Sequence, residues 1–271
     1  MKPTDKQRKT DYGEFALAAC AAIIFFVLMI RCRYGFANLD ESFYLTVPSR
    51  LCQGDALFAD EWHLSQMAGL LLYPLMKVYL VFAGGTEGIS LAFRYLYTIL
   101  HSAAAVFLYY RLRPHHKWGA AASALLFMIY VPFGIPALSY NSMGSDLLVL
   151  SAVVVLTARK YPVLQYILAG VMFAGAVLCC PYLIIAWAVY AAAAVVTLVL
   201  RKRLQPDDAP KPLYLRAVWF TVGCGILAVI LLLFVISRCS IADVTAAFPE
   251  IFNDPEHTEF SLWAKLKSYF H

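Results

Sequence analysis

The sequence predicts an all-α integral membrane protein: about seven transmembrane helices, with a long first extracytoplasmic loop that contains interfacial helices. Three observations carry this. Of 271 residues, 62% are hydrophobic and 14% charged, with a mean hydropathy of +0.68; a soluble chain has about 45–50% apolar and about 25% charged residues. The apolar residues fall in blocks of roughly 16–23, the length that crosses about 30 Å of hydrocarbon. In lipid each block must satisfy its own backbone N–H and C=O groups, which selects helices, and the alternation of a barrel strand is absent.

The spans are expected near residues 15–30, 89–110, 118–138, 142–157, 163–180, 182–200 and 214–236, and together form one transmembrane module, 1–236. The first block contains Leu17-Ala18-Ala19-Cys20, which superficially resembles a lipoprotein cleavage site. The apolar run follows the cysteine instead of preceding it, so an uncleaved first span is expected. Segment 66–82 is apolar enough to compete as a further span but carries Pro74 and Lys77.

Lysine and arginine bias decides that question. If 66–82 does not span, the cytoplasm receives Lys2, Lys6, Arg8 and Lys9; Arg111, Arg113 and Lys117; Arg159 and Lys160; and Arg201, Lys202, Arg203, Lys211 and Arg216. Those are fourteen of the 22 basic residues, all in short segments. Were 66–82 to span, the clusters at 111–117 and 201–216 would move outside. The N-terminus is therefore expected in the cytoplasm, 66–82 at the outer interface as an amphipathic segment, and the outer loop as 31–88. The segment 237–271 is expected outside, with residues 260–270 as a second interfacial helix.

The net charge of +5 is spread over loops flanking the spans and implies no nucleic-acid partner. No phosphate-cradling glycine loop or metal-type cysteine pair is present. Cys20 and Cys224 fall in spans, where thiols behave as small apolar groups. Cys32 and Cys52 share the outer loop, where an oxidised pair is an open alternative to two thiols.

Ionisable residues inside spans usually mark ion or proton pathways. Here they are few: Arg94 and His101 in the second span and Asp146 near the outer end of the fourth. An interhelical hydrogen bond is the expected role of His101. This scarcity, with no paired broken repeats, argues against a coupled transporter. Polar residues concentrate instead in the outer loop: Asn38-Leu39-Asp40-Glu41-Ser42-Phe43-Tyr44, then Arg50-Leu51-Cys52-Gln53-Gly54-Asp55, then Asp60-Glu61-Trp62-His63. Carboxylates held just above a membrane surface can deprotonate a hydroxyl or amine acceptor; a solvated loop with incidental charges is the bland alternative.

The chain resembles the polytopic GT-C glycosyltransferases, particularly the bacterial group of protein O-mannosyltransferases and the lipid A aminoarabinose transferase. The resemblance rests on Asp40-Glu41 about ten residues past the first span, Tyr44, Arg50-Leu51 with Gln53-Gly54-Asp55, a second acidic element at Asp60-Glu61, and Phe93-Arg94 opening the second span. Further on it rests on Ser139-Tyr140-Asn141-Ser142-Met143-Gly144 between spans three and four, and on Leu168-Ala169-Gly170 through Cys179-Cys180-Pro181-Tyr182.

The resemblance implies transfer of a hexosyl or pentosyl group, on the extracytoplasmic face of the cell membrane, from a polyprenyl-phosphate-linked donor to a glycan, lipid or protein acceptor. The isoprenoid tail would lie in a groove between helices. Asp40 would be the catalytic base and Glu41 would orient it or the acceptor. Tyr44, Asp60, Glu61, His63, Arg94, Tyr140 and Asn141 would bind substrate. Arg94 and His63 would meet the phosphate, although some relatives have a lysine near the position of His63. Asp60 and Glu61 would hold acceptor or a divalent cation; no other cofactor is implied. Snorkelling for Arg94 and a turn for Asn141 are alternatives. Members of this group generally have more spans, so the chain corresponds to their N-terminal part. The rival class is a non-catalytic polytopic protein, a transporter or an assembly partner.

Overall fold

The computed structural model describes residues 5–35, 40–60, 67–159, 161–200, 213–247 and 249, with side chains described from Tyr12 onward except at Asp40. The described elements are ten α-helices: α1 Asp5–Arg31, α2 Asp40–Gln53, α3 Ala68–Ala83, α4 Ile89–Leu112, α5 Lys117–Ile129, α6 Tyr140–Thr157, α7 Pro162–Cys179, α8 Ile184–Val199, α9 Leu213–Ile236 and α10 Ile241–Ala247. Among the described residues, seven stretches are long and apolar enough to cross a membrane, in α1, α4, α5 with its continuation to Gly134, α6, α7, α8 and α9. Their outward faces are hydrocarbon: Phe15 is 75% exposed, Leu156 78% and Val199 75%. Surfaces this apolar need lipid, not water. The protein is an all-α integral membrane protein with about seven spans.

Helix ends follow local chemistry. Ser139 and Ser142 form a reciprocal capping box that starts α6. Pro162 opens α7, where its missing N–H costs nothing. Gly84, at φ 70°, ends α3 in the left-handed conformation glycine adopts freely. The third span differs from expectation. Its α-helix stops at Ile129 instead of reaching 138, and the chain continues through a 3₁₀ turn at Pro132–Gly134. Pro132 and Pro136 remove two backbone donors there, and Phe133 adopts φ 55°.

Packing is tightest where α7 crosses α9. A Cβ on Gly170 would lie 2.0 Å from the Phe220 carbonyl oxygen, and one on Gly223 2.0 Å from that of Ile167. The two glycines let the backbones touch, as small residues do in membrane helix pairs. Helix α7 also packs on α6, α5 on α4, and α4 on α6. At one end of the bundle, Glu14 of α1 meets Arg113 at 2.7 Å and Lys117 at 2.9 Å, while Arg111 donates to Thr157 and Gln165.

The opposite end carries the α2–α3 hairpin. Segment 66–82 is helical as Ala68–Ala83 but shorter than a span, and α3 lies against α2. One apolar cluster joins Val47, Leu51, Leu57 and Leu70 to Val235 of α9; another joins Leu45, Leu72 and Met76 to Phe93 and Tyr97 of α4 and to Leu138. Arg238, just beyond α9, fastens the hairpin by donating to the Leu51 carbonyl and to Tyr73 Oη at 2.9 Å each. Cys32 and Cys52 are separate thiols. The interfacial helix expected at 260–270 lies outside the described residues.

Candidate functional site

Asp40 and Glu41 form the first turn of α2, so the acidic pair begins a helix instead of sitting in open loop. Glu41 is 1% exposed. A carboxylate so deeply buried needs a cation and hydrogen bonds to offset its lost hydration. Arg94, one and a half turns into α4, supplies both: Nε to Oε1 and Nη2 to Oε2, each 2.5 Å. This is the planar two-pronged geometry that guanidinium and carboxylate share. Nη1 donates to the carbonyls of Cys32 at 2.9 Å and Gly35 at 2.8 Å. One arginine therefore binds the end of α1, the link after it and the start of α2. Thr98, a turn further along α4, donates to the Arg94 carbonyl at 3.0 Å and so accepts from the Cys32 thiol at 3.2 Å.

Of the residues expected at the catalytic and substrate site, the structure brings two pairs together among those it describes. Glu41 meets Arg94, and buried Tyr44 meets Tyr140 edge-on, with ring centres 5.4 Å apart at 88°. Ile135 and Ala137 close the second contact, so the irregular stretch after α5 packs on α2. Tyr140 and Asn141 occupy the first turn of α6, not a free loop. Asp60 is exposed and accepts from the Ala56 N–H at 2.8 Å, closing a turn, while Arg50 reaches its carbonyl and pairs with Asp55 at 2.5 Å. The Asp40 side chain, Glu61 and His63 lie outside the described residues. Among the described residues no three His, Cys, Asp or Glu converge on one point as a metal site would need.

Arg94, expected from sequence at the phosphate, directs four of its five N–H donors at Glu41 and two carbonyls. The carbonyls of Cys32 and Gly35 were illegible as partners, since any residue has one. An arginine near the start of an apolar span and a glutamate soon after the first span were the available signal.

Apolar furrows run between the helices. One of about 330 Å3 lies between α7, α8 and α9, lined by Phe173, Val177, Leu178, Ile184, Trp187 and Leu231. Leu231 also packs on the cluster beneath the α2–α3 hairpin, so the furrow leads to that end of the bundle. Comparison with protein-family models, with curated proteins and with solved structures gives no match for this chain.

Proposed function

We propose that the chain is a membrane glycosyltransferase of the GT-C type, or its N-terminal module, acting at the extracytoplasmic face with Asp40 as base. The observation that carries this is the Glu41–Arg94 clamp. It fixes the first turn of α2, and with it the backbone of Asp40, against the bundle end. A base must be held within hydrogen-bond reach of the proton it removes, and a rigid helix start does that better than a loop.

In this reading Asp40 takes the proton of an acceptor hydroxyl as its oxygen bonds to the anomeric carbon of the donor. The bond from that carbon to the lipid phosphate oxygen breaks, and the phosphate leaves with the electron pair. Glu41 and Arg94 position the base; Tyr44 and Tyr140 wall the acceptor side. The polyprenyl tail suits the furrow between α7, α8 and α9, whose lining is predominantly apolar. The basic clusters at 111–117 and 201–216 favour a cytoplasmic N-terminus.

Asp40→Asn should abolish sugar transfer from a polyprenyl-phosphate donor while membrane insertion is kept. Full activity in that variant removes Asp40 from the mechanism and leaves the non-catalytic reading. For orientation, a membrane-impermeant maleimide on intact cells should label Thr86→Cys, in the α3–α4 link, and not His115→Cys at the other end. The reverse pattern would overturn the sidedness.

A further inference from the structure

A second feature lies within the membrane-spanning bundle. His101 of α4 directs Nδ1 at both carboxylate oxygens of Asp146 on α6, at 2.8 and 3.0 Å, and Nε2 at the Phe127 carbonyl at 2.8 Å. A carbonyl can only accept, so Nε2 carries a hydrogen. Nδ1 then either donates to a carboxylate or accepts from a carboxylic acid. In both forms the dyad shares one proton and has no net charge. The ring is held between Tyr97, at 5.2 Å and nearly parallel, and Phe127 at 4.6 Å. His101 is fully buried, but the Asp146 side chain is 16% exposed.

What Asp146 faces is an apolar groove. It lines a groove of about 480 Å3 between α3, α4, α6 and α7, whose other lining residues include Leu71, Leu75, Leu100, Phe107 and Met172. All the remaining residues of that lining are apolar. A carboxylate oxygen offers two lone pairs, and one donor from His101 does not exhaust the group. A saturated chain in this groove would bring no donor to it, which costs free energy in a medium without water. Asp146 lies six residues into α6, about 9 Å from its start at 1.5 Å per residue. If α6 enters the bilayer at its first turn, the polar point lies below the headgroup level, where a lipid presents its chain.

We propose that this groove binds a lipid chain bearing a hydroxyl within its hydrophobic length, with Asp146 as the hydrogen-bond acceptor. A neutral dyad has no surplus charge to draw an ammonium, so a hydroxyl is the matching donor. The inference is independent of the transferase reading and concerns a different furrow.

The test titrates stearate and a series of monohydroxystearates, with the hydroxyl stepped along the chain, into the detergent-solubilised full chain, reading apparent Kd from the thermal midpoint. Affinity should peak at one hydroxyl position, about tenfold tighter than stearate, the worth of one charge-assisted hydrogen bond. Asp146→Leu should flatten the series to the stearate value. Leu150→Trp, which fills the groove one turn further along α6 and leaves the dyad in place, should weaken every member. A flat series in the native protein, no binding at all, or affinities unchanged by Leu150→Trp would each overturn the proposal. The Leu150→Trp comparison keeps the test decisive if Asp146→Leu does not fold.

Discussion

Replacing Arg94 by methionine tests the clamp on which the site geometry rests. Methionine keeps length and fills space, but removes the two bonds to Glu41 and the two to the Cys32 and Gly35 carbonyls. The carboxylate, 1% exposed, is left without its cation. Removing one partner of a buried ion pair costs about 3–5 kcal/mol, roughly a hundredfold to a few thousandfold in the folded population. The lower end is expected here, because a released arginine or glutamate near a span end can reach the interface in the unfolded chain. The measurement is thermal unfolding in detergent, together with the rate at which a maleimide reaches Cys32, which is buried against Thr98. Arg94→Met should lower the midpoint and open Cys32. Glu41→Leu combined with Arg94→Met should recover much of the midpoint, since no charge is stranded, yet leave Cys32 reactive because its carbonyl still lacks the donor. An unchanged midpoint with Cys32 still protected in Arg94→Met would refute the clamp as the element that places α2.

Three further outcomes follow from the same structure. Gly170→Ala and Gly223→Ala each set a Cβ 2.0 Å from an opposing carbonyl oxygen, so α7 and α9 must part by about 1 Å. Each should cost about 1–3 kcal/mol of thermal stability, and the pair less than the sum because they relieve one contact; native midpoints in both would contradict the crossing. Ser142→Ala removes a hydroxyl that donates to the Ala137 carbonyl at 2.6 Å and accepts from the Ser139 N–H at 2.9 Å. It should cost about 1–2 kcal/mol, read as a lower unfolding midpoint, and no change would show that the box does not set the start of α6. Burial pushes the Cys52 thiol up, with Lys77 and Arg238 pulling partly against it. Only thiolate reacts, so alkylation of Cys52 should keep rising with pH beyond the point where a free small thiol has levelled off; an earlier plateau would sink this reading.

Much of the architecture was written in the chain itself. A block of some twenty apolar residues has one outcome in lipid, because its backbone must bond to itself and a helix does that locally. About seven spans, and a helix over 66–82 too short to count among them, were legible from such rules. Boundaries failed where proline and a reversed φ at Phe133 ended α5 early, a feature the apolar pattern masked. Tertiary structure alone decided which polar groups meet. Glu41 and Arg94 are separated by 53 positions, and nothing in composition or periodicity says that Glu41 turns inward to find that arginine. The same holds for Asp146 and His101, 45 positions apart, and for Gly170 against Gly223. Helix formation is a property of neighbours in sequence. Pairing across helices depends on rotation and depth in the bundle, and those are fixed only when every span packs at once.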